Sequence, residues 1–225
     1  MITKLPPPPD NPQRSPAIAV PGESPTTLVS TGGTLHARVA TPHGASRAVV
    51  LCHPHPLYGG SMHSPVPLAI ARALESLGGG TVGWLRFNFR GVPPSEGTYD
   101  QGQGEVDDAV RAIVALRERL PGVPITVVGH SFGSWVGLEA AKADGAVERV
   151  VLVAPSTRFF QFAGERPTMP VAIVLGDQDD YCDVAEGHEL AQRLGSSMEV
   201  LEGFDHHFLK SRRVMAEKVF GLAVR

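Results

Sequence analysis

Two cysteines in 225 residues leave no basis for a disulfide framework, and neither Cys52 nor Cys182 has a neighbour at metal-ligand spacing. Positive charge is not in excess. Twenty Lys and Arg stand against 23 Asp and Glu, a formal net charge of −3, which argues against nucleic acid or an anionic membrane surface as partner. No run of about 18 apolar residues occurs, so nothing is expected to span a bilayer. The opening Met1-Ile2-Thr3-Lys4-Leu5-Pro6 lacks the apolar stretch of a signal peptide. Cys52 closes a strand that reads as buried, and a reducing, cytoplasmic compartment is the expectation. A hydrophobic content of 42% with 19% charged residues is that of a soluble globular protein, and the length suits one domain better than two.

Proline and glycine are plentiful, and proline is concentrated at one end. Residues 1–25 carry Pro6 to Pro9, then Pro12, Pro16, Pro21 and Pro25, with almost no large apolar group. Such a stretch cannot offset its own ordering entropy and reads as an extended, mobile tail before a domain at 26–225. From Thr26 the pattern changes. Thr26 to Ser30 and Thr34 to Ala40 read as strands joined by Gly32-Gly33, a hairpin signal. Ala48 to Cys52 is a continuous apolar run, as a strand buried on both faces would be. The spacing predicts a helix over 64–77 stopped by three glycines, a strand over 81–89 and an amphipathic helix over 105–120. Strand 125–128, helix 131–143, strands 149–153 and 171–175, helix 183–194, a strand near 198–201 and a final helix from about 208 complete the chain. An antiparallel opening followed by alternating strands and helices predicts an α/β fold, a doubly wound and mostly parallel sheet with helices on both faces. Ligands in such sheets sit off the carboxyl ends of the strands.

Gly129-His130-Ser131-Phe132-Gly133 lies between the strand signal Ile125 to Val128 and a helix signal. A random chain of this composition would show the bare Gly-x-Ser-x-Gly pattern roughly 0.17 times, so the strand-to-helix context is what gives it weight. There the serine must occupy a turn too tight for a Cβ at its flanks, with its hydroxyl lifted above the sheet and the helix N-terminus behind it. A serine hydroxyl needs a base, and the base an orienting carboxylate, here in the chain order Ser, acid, His. Gly176-Asp177-Gln178-Asp179-Asp180 follows strand 171–175, and Gly203-Phe204-Asp205-His206-His207 lies in the last loop. An oxyanion needs two N–H donors. One is the backbone of Phe132; in the loop after Cys52, Pro54 and Pro56 have no N–H, which leaves His55 or Leu57.

These stretches, with Leu51 to Gly60 and Arg86 to Gly91, resemble the α/β-hydrolase superfamily, and within it the small lidless members related to dienelactone-hydrolase-like proteins. The resemblance runs from about residue 27 to the end. It implies a nucleophile at Ser131, departing from the Cys of dienelactone hydrolases themselves. By the family's Gly-x-x-Asp pattern it selects Asp179 over Asp177 and Asp180, and by its Asp-His-x-Phe pattern it selects His206 over His207. It also implies His55 ahead of Leu57 as the second oxyanion donor. The implied activity is hydrolysis of a carboxylic ester of a small or accessible substrate through an acyl-enzyme, with no cofactor and no metal. Partners are then a small-molecule ester-type substrate, with no nucleic acid and no membrane, for a monomer or homodimer. The same residues suit a thioesterase or an amidase or peptidase, and a non-catalytic binding protein of this fold is the reading from another class.

Other features read as structural. His53-Pro54-His55 has i and i+2 histidines, yet interleaved prolines shape a loop rather than a chelate. His130 reads as a bystander, and Arg90 as a loop-holding residue with a substrate contact as the alternative. Cys182, just after the acidic cluster, is a candidate for the site wall. Only Ala154 to Pro170 separate two strands where many hydrolases insert a helical lid, which predicts a shallow, open site. Phe159, Phe160 and Phe162 are then either its walls or core packing under the loop.

Overall fold

A computed structural model describes residues 3–225; Met1 and Ile2, the start of the expected tail, lie outside the described residues. Eight strands form a single sheet in the order β1-β2-β4-β3-β5-β6-β7-β8. β1 (Ser24–Ser30) and β2 (Gly33–Ala40) make the antiparallel hairpin, and β2 continues antiparallel onto β4 (Val82–Phe87). The remaining pairs are parallel: β3 (Arg47–Cys52), β5 (Ile125–His130), β6 (Arg149–Val153), β7 (Val171–Gly176) and β8 (Ser197–Leu201).

The central strands alternate strictly between two cores, because successive side chains leave a strand on opposite faces. Val50, Val127, Val150 and Leu152 join one apolar cluster, while Val49, Leu51, Val128, Val151 and Val153 join the other. The first cluster is closed by α2 (Gln103–Arg119), α3 (Phe132–Asp144) and α4 (Val184–Leu194). The second is closed by α1 (Pro65–Gly78) and α5 (Arg212–Ala223). Both faces of the sheet are thus covered, which is why these strands are mostly apolar, with the buried Thr126 hydroxyl satisfied by the Ala223 carbonyl. From β3 the chain steps to β4 on one side, then crosses back to β5 on the other. That reversal opens a crevice beyond the carboxyl ends of β3 and β5, the place where such sheets bind ligands.

Helix ends differ from the sequence reading by one or two residues, with one larger exception. α5 starts at Arg212 rather than near residue 208. Phe208 takes a left-handed φ of 52°, Asp205 Oδ1 accepts from Leu209 N–H, and Ser211 caps the helix by accepting from Val214 N–H. The expected boundary after residue 25 also falls inside β1, and the residues just before it are part of the packed domain. Val20 is buried, and the Glu23 carboxylate is fully enclosed among donors from Arg86, Trp84 and the Val20 backbone. Arg86, itself inaccessible, also donates to the carbonyls of Met62 and Ile18. A buried guanidinium requires such a set of acceptors. Composition alone hid this, since the segment borrows its partners from β4 instead of supplying its own core.

Candidate active site

β5 ends at His130, and the chain reverses into α3 through Ser131, whose φ of 58° and ψ of −119° lie where side-chain-bearing residues are strained. The flanking glycines are there for space. A Cβ on Gly133 would stand 2.4 Å from the Cys52 carbonyl oxygen, and one on Gly129 would stand 2.0 Å from the Gly133 oxygen. Without them the helix could not begin directly behind the ends of β3 and β5. Ser131 N–H donates to Val153 O at 3.0 Å, which ties the elbow to β6. Its Oγ hydrogen-bonds the buried Ser156 Oγ at 3.0 Å. Ser156 has no motif around it; it reaches Ser131 because Ala154, at a φ of 47°, turns the chain sharply as it leaves β6.

The loop after β7 holds Asp179 with its side chain inaccessible. One carboxylate oxygen accepts from Tyr181 N–H at 2.7 Å and Cys182 N–H at 3.2 Å; the other lies 2.9 Å from His206 Nδ1. The two neighbouring acids do other work. Asp177 accepts from Gly203 N–H at 2.6 Å, holding the loop that carries His206, and Asp180 is exposed. His206 lines the same cavity as Ser131, and its Nε2 makes no hydrogen bond among the described residues. Tyr181 packs against its ring, with centroids 4.4 Å apart. His207 also lines this cavity, and burial together with the neighbouring His206 pushes its imidazole below the usual range.

His130 is tied to His206. Its Nε2 lies 3.2 Å from the His206 carbonyl oxygen, so it holds the backbone that carries the imidazole. Burial, reinforced by His206, pushes the His130 ring well below its ordinary range, leaving it neutral and able to donate one N–H to that oxygen.

At the end of β3, His55 caps a short 3-10 turn (Pro56–Tyr58), its Nδ1 accepting from Leu57 N–H at 3.2 Å. The Leu57 N–H is therefore already used, whereas the His55 N–H has no partner among the described residues. Phe132, as the first residue of α3, has no helical carbonyl one turn back for its own N–H. The His55 ring packs among Phe132, Tyr58, Tyr99 and Phe160, and burial lowers its pKa to about 4. His53 spends both ring nitrogens on the backbone: Nδ1 on the Pro54 oxygen at 2.6 Å, and Nε2 accepting from Phe89 N–H at 3.0 Å. It joins the ends of β3 and β4 and offers no lone pair to a metal. Among the described residues no group of three His, Cys, Asp or Glu side chains is arranged to hold one.

Arg90 grips Asp108 through Nε at 3.0 Å and Nη2 at 2.7 Å, fixing the β4–α2 loop to α2. The three phenylalanines divide. Phe159 and Phe160 line the cavity, Phe160 stacking on Trp135, while Phe162 is buried in the core. Cys182 is not part of the wall; its backbone orients Asp179, and burial pushes both thiols up to about 12, so they stay protonated.

No helix is inserted between β6 and β7. The site nevertheless has a wall that the lid position does not supply. A cavity of about 570 Å³ lies over Ser131 and His206, and the extended N-terminal segment supplies Leu5, Pro6, Gln13 and Ser15 to one wall. The expectation of an open site considered the lid position alone, and this wall comes from the opposite end of the sequence.

The model of the alpha/beta hydrolase fold family matches residues 47–168. An uncharacterized protein of Rickettsia prowazekii is 32% identical over 182 residues, covering 75% of this chain and 74% of that protein. Two solved structures superpose over nearly their full length. A lidless serine hydrolase of Xanthomonas campestris has a TM-score of 0.79 and 27% identity, covering 92% of this chain and 95% of that one. An alpha-beta serine hydrolase homologue from Coxiella burnetii has a TM-score of 0.78 and 29% identity, covering 93% and 100%. With its elbow, sheet order and these likenesses, the chain belongs to the α/β-hydrolase fold family.

Proposed function

We propose that the protein is a serine hydrolase that cleaves a carboxylic ester of a small or accessible substrate through an acyl-enzyme. The observation that carries this reading is one cavity bordered by both a serine on a strained elbow and a histidine held 2.9 Å from a buried carboxylate. In this reading the Ser131 hydroxyl turns from Ser156 toward His206 Nε2, gives up its proton and attacks the carbonyl carbon. Asp179 accepts from the Nδ1 N–H, fixing the tautomer and stabilising the imidazolium. The N–H groups of Phe132 and His55 receive the oxyanion. His206 then returns its proton to the leaving alcohol oxygen, and a water activated by the same imidazole releases the acid. Every step uses groups of this chain.

The similarity to solved serine hydrolases supports the reading, as does the position of the site at the carboxyl ends of β3 and β5. Two buried, protonated free thiols suit a reducing compartment, in keeping with a cytoplasmic location. The test is labelling with a fluorophosphonate probe, with the modified peptide located by mass spectrometry. Labelling at Ser131 that is lost in His206→Ala and kept in His207→Ala is the expected result. A folded protein that takes no label overturns the mechanism.

A further inference from the structure

The N-terminal segment follows a definite path across the site. Ile18 N–H donates to His63 Nδ1 at 3.1 Å, beside the buried Val20 and Glu23. Toward the N-terminus, Arg14 Nη1 donates to the Gly60 carbonyl at 2.7 Å. The Gln13 carbonyl then comes so close to Gly59 that a Cβ there would stand 2.3 Å from its oxygen. Four consecutive prolines, Pro6 to Pro9, stiffen the next stretch, and the Pro6 carbonyl accepts from the Tyr58 hydroxyl. Finally Thr3 N–H donates to Arg158 O at 2.6 Å. Gly59 and Gly60 follow the turn after β3, whereas Arg158 lies in the connection from β6 to β7, beside Ser156, Phe159 and Phe160. The segment therefore runs from one bank of the cavity to the other. Leu5 and Pro6 face the space that Ser131 and His206 also line.

We propose that residues 3–16 form a substrate-selecting strap, which gives this lidless enzyme the apolar wall that an inserted lid would otherwise provide. The inference rests on the serine-hydrolase reading and names its substrate class: an ester whose acyl or aryl part is a medium-sized apolar group lying between the strap and Phe159. The wall composition carries this. Leu5, Pro6, Tyr58, Val66, Phe159 and Phe160 surround a volume suited to a compact organic ligand. Prolines suit the task because a chain already restricted in φ loses little further entropy when it docks, so a few hydrogen bonds suffice to hold it.

The experiment is an ester series from p-nitrophenyl acetate to dodecanoate, run on the intact chain, on a chain starting at residue 17, and on Leu5→Ser. The shortened chain keeps Ile18, Val20 and Glu23, and the point variant keeps every backbone bond of the strap. Fluorophosphonate labelling of Ser131 is measured in parallel. Loss of the strap is expected to raise KM for butyrate to octanoate esters about tenfold while changing that for acetate less than twofold, since only the longer groups reach Leu5 and Pro6. Leu5→Ser is expected to lower the octanoate-to-acetate ratio of kcat/KM about threefold, with Ser131 still taking the label. Identical chain-length profiles in a labelled, active protein overturn the strap and leave the hydrolase reading standing. An intact, folded protein that neither labels nor turns over any ester overturns the hydrolase reading, and the strap with it.

Discussion

His206 Nδ1 stands 2.9 Å from Asp179 Oδ2, while Tyr181 and Cys182 bind the other carboxylate oxygen through their backbone N–H groups. The carboxylate is thus held from both ends, and the imidazole can present only one tautomer to the cavity. Replacing Asp179 by Asn puts an amide in reach of Nδ1 and destabilises the protonated ring. The expected outcome is a fall in kcat on an activated ester of about 10³ to 10⁴, with KM nearly unchanged. Asp180→Ala is expected to stay within about twofold of the parent, because that side chain is exposed. Steady-state kinetics on the two variants separates them.

Under the proposed mechanism, the hydrogen bond from Ser131 to Ser156 holds the nucleophile in a resting position that attack must break. A neutral bond of this kind is worth about 1 kcal/mol. Ser156→Ala is therefore expected to raise the fluorophosphonate labelling rate up to about fivefold, measured as the second-order rate constant at fixed pH. A loss of labelling of tenfold or more would mean that Ser156 assists the reaction instead.

The buried Glu23 and Arg86 pair should appear in stability. Removing one partner strands the other in the core, so Glu23→Ala is expected to cost about 3 to 5 kcal/mol in chemical denaturation. Burial by itself would raise the Glu23 carboxyl, but the donors from Arg86, Val20 and Trp84 outweigh it and hold the group below its ordinary value near 4.5. The pair's contribution is whole above that value and is lost as pH falls through the lower, folded one. The parent is accordingly expected to lose its advantage over Glu23→Ala only in acid below about pH 4.5.

His53 is expected to give stability a second pH dependence. Burial is the main cause that takes its pKa from 6.5 to about 3, so the unfolded chain binds a proton that the folded one refuses across that window. Stability then falls as pH drops from 6.5 toward 3, by up to about 1.4 kcal/mol per pH unit for this one group. The slope between pH 6.5 and 5, above most carboxylate titrations, is expected to be shallower in His53→Gln. Urea unfolding at several pH values measures it.

Much of the sheet was legible because both cores are written in period-two alternation and in short apolar runs bounded by glycine and proline. Ser131 was legible because its motif sits between a strand and a helix. Choosing among Asp177, Asp179 and Asp180 required the family pattern, since residue type and chain order suit all three. Geometry separates them by partner: Gly203 for the first, His206 for the second, solvent for the third. The contacts of Ser156 and His130 escaped because each is a single bond across the sheet's carboxyl edge, with no spacing that local sequence could show. The N-terminal segment escaped for a related reason. Its partners Tyr58, Arg86 and Arg158 lie far along the chain, and a window over residues 1–25 contains none of them.

Ser131 adopts a backbone conformation that glycine occupies freely, so under the proposed mechanism selection for folding and selection for reactivity point in opposite directions at this position. A lineage that abandoned the chemistry would gain stability by letting this residue drift to glycine, on the order of 1 kcal/mol. Keeping a serine there means carrying that deficit in every copy of the protein, with the interlocked cores on both sides of the sheet covering it.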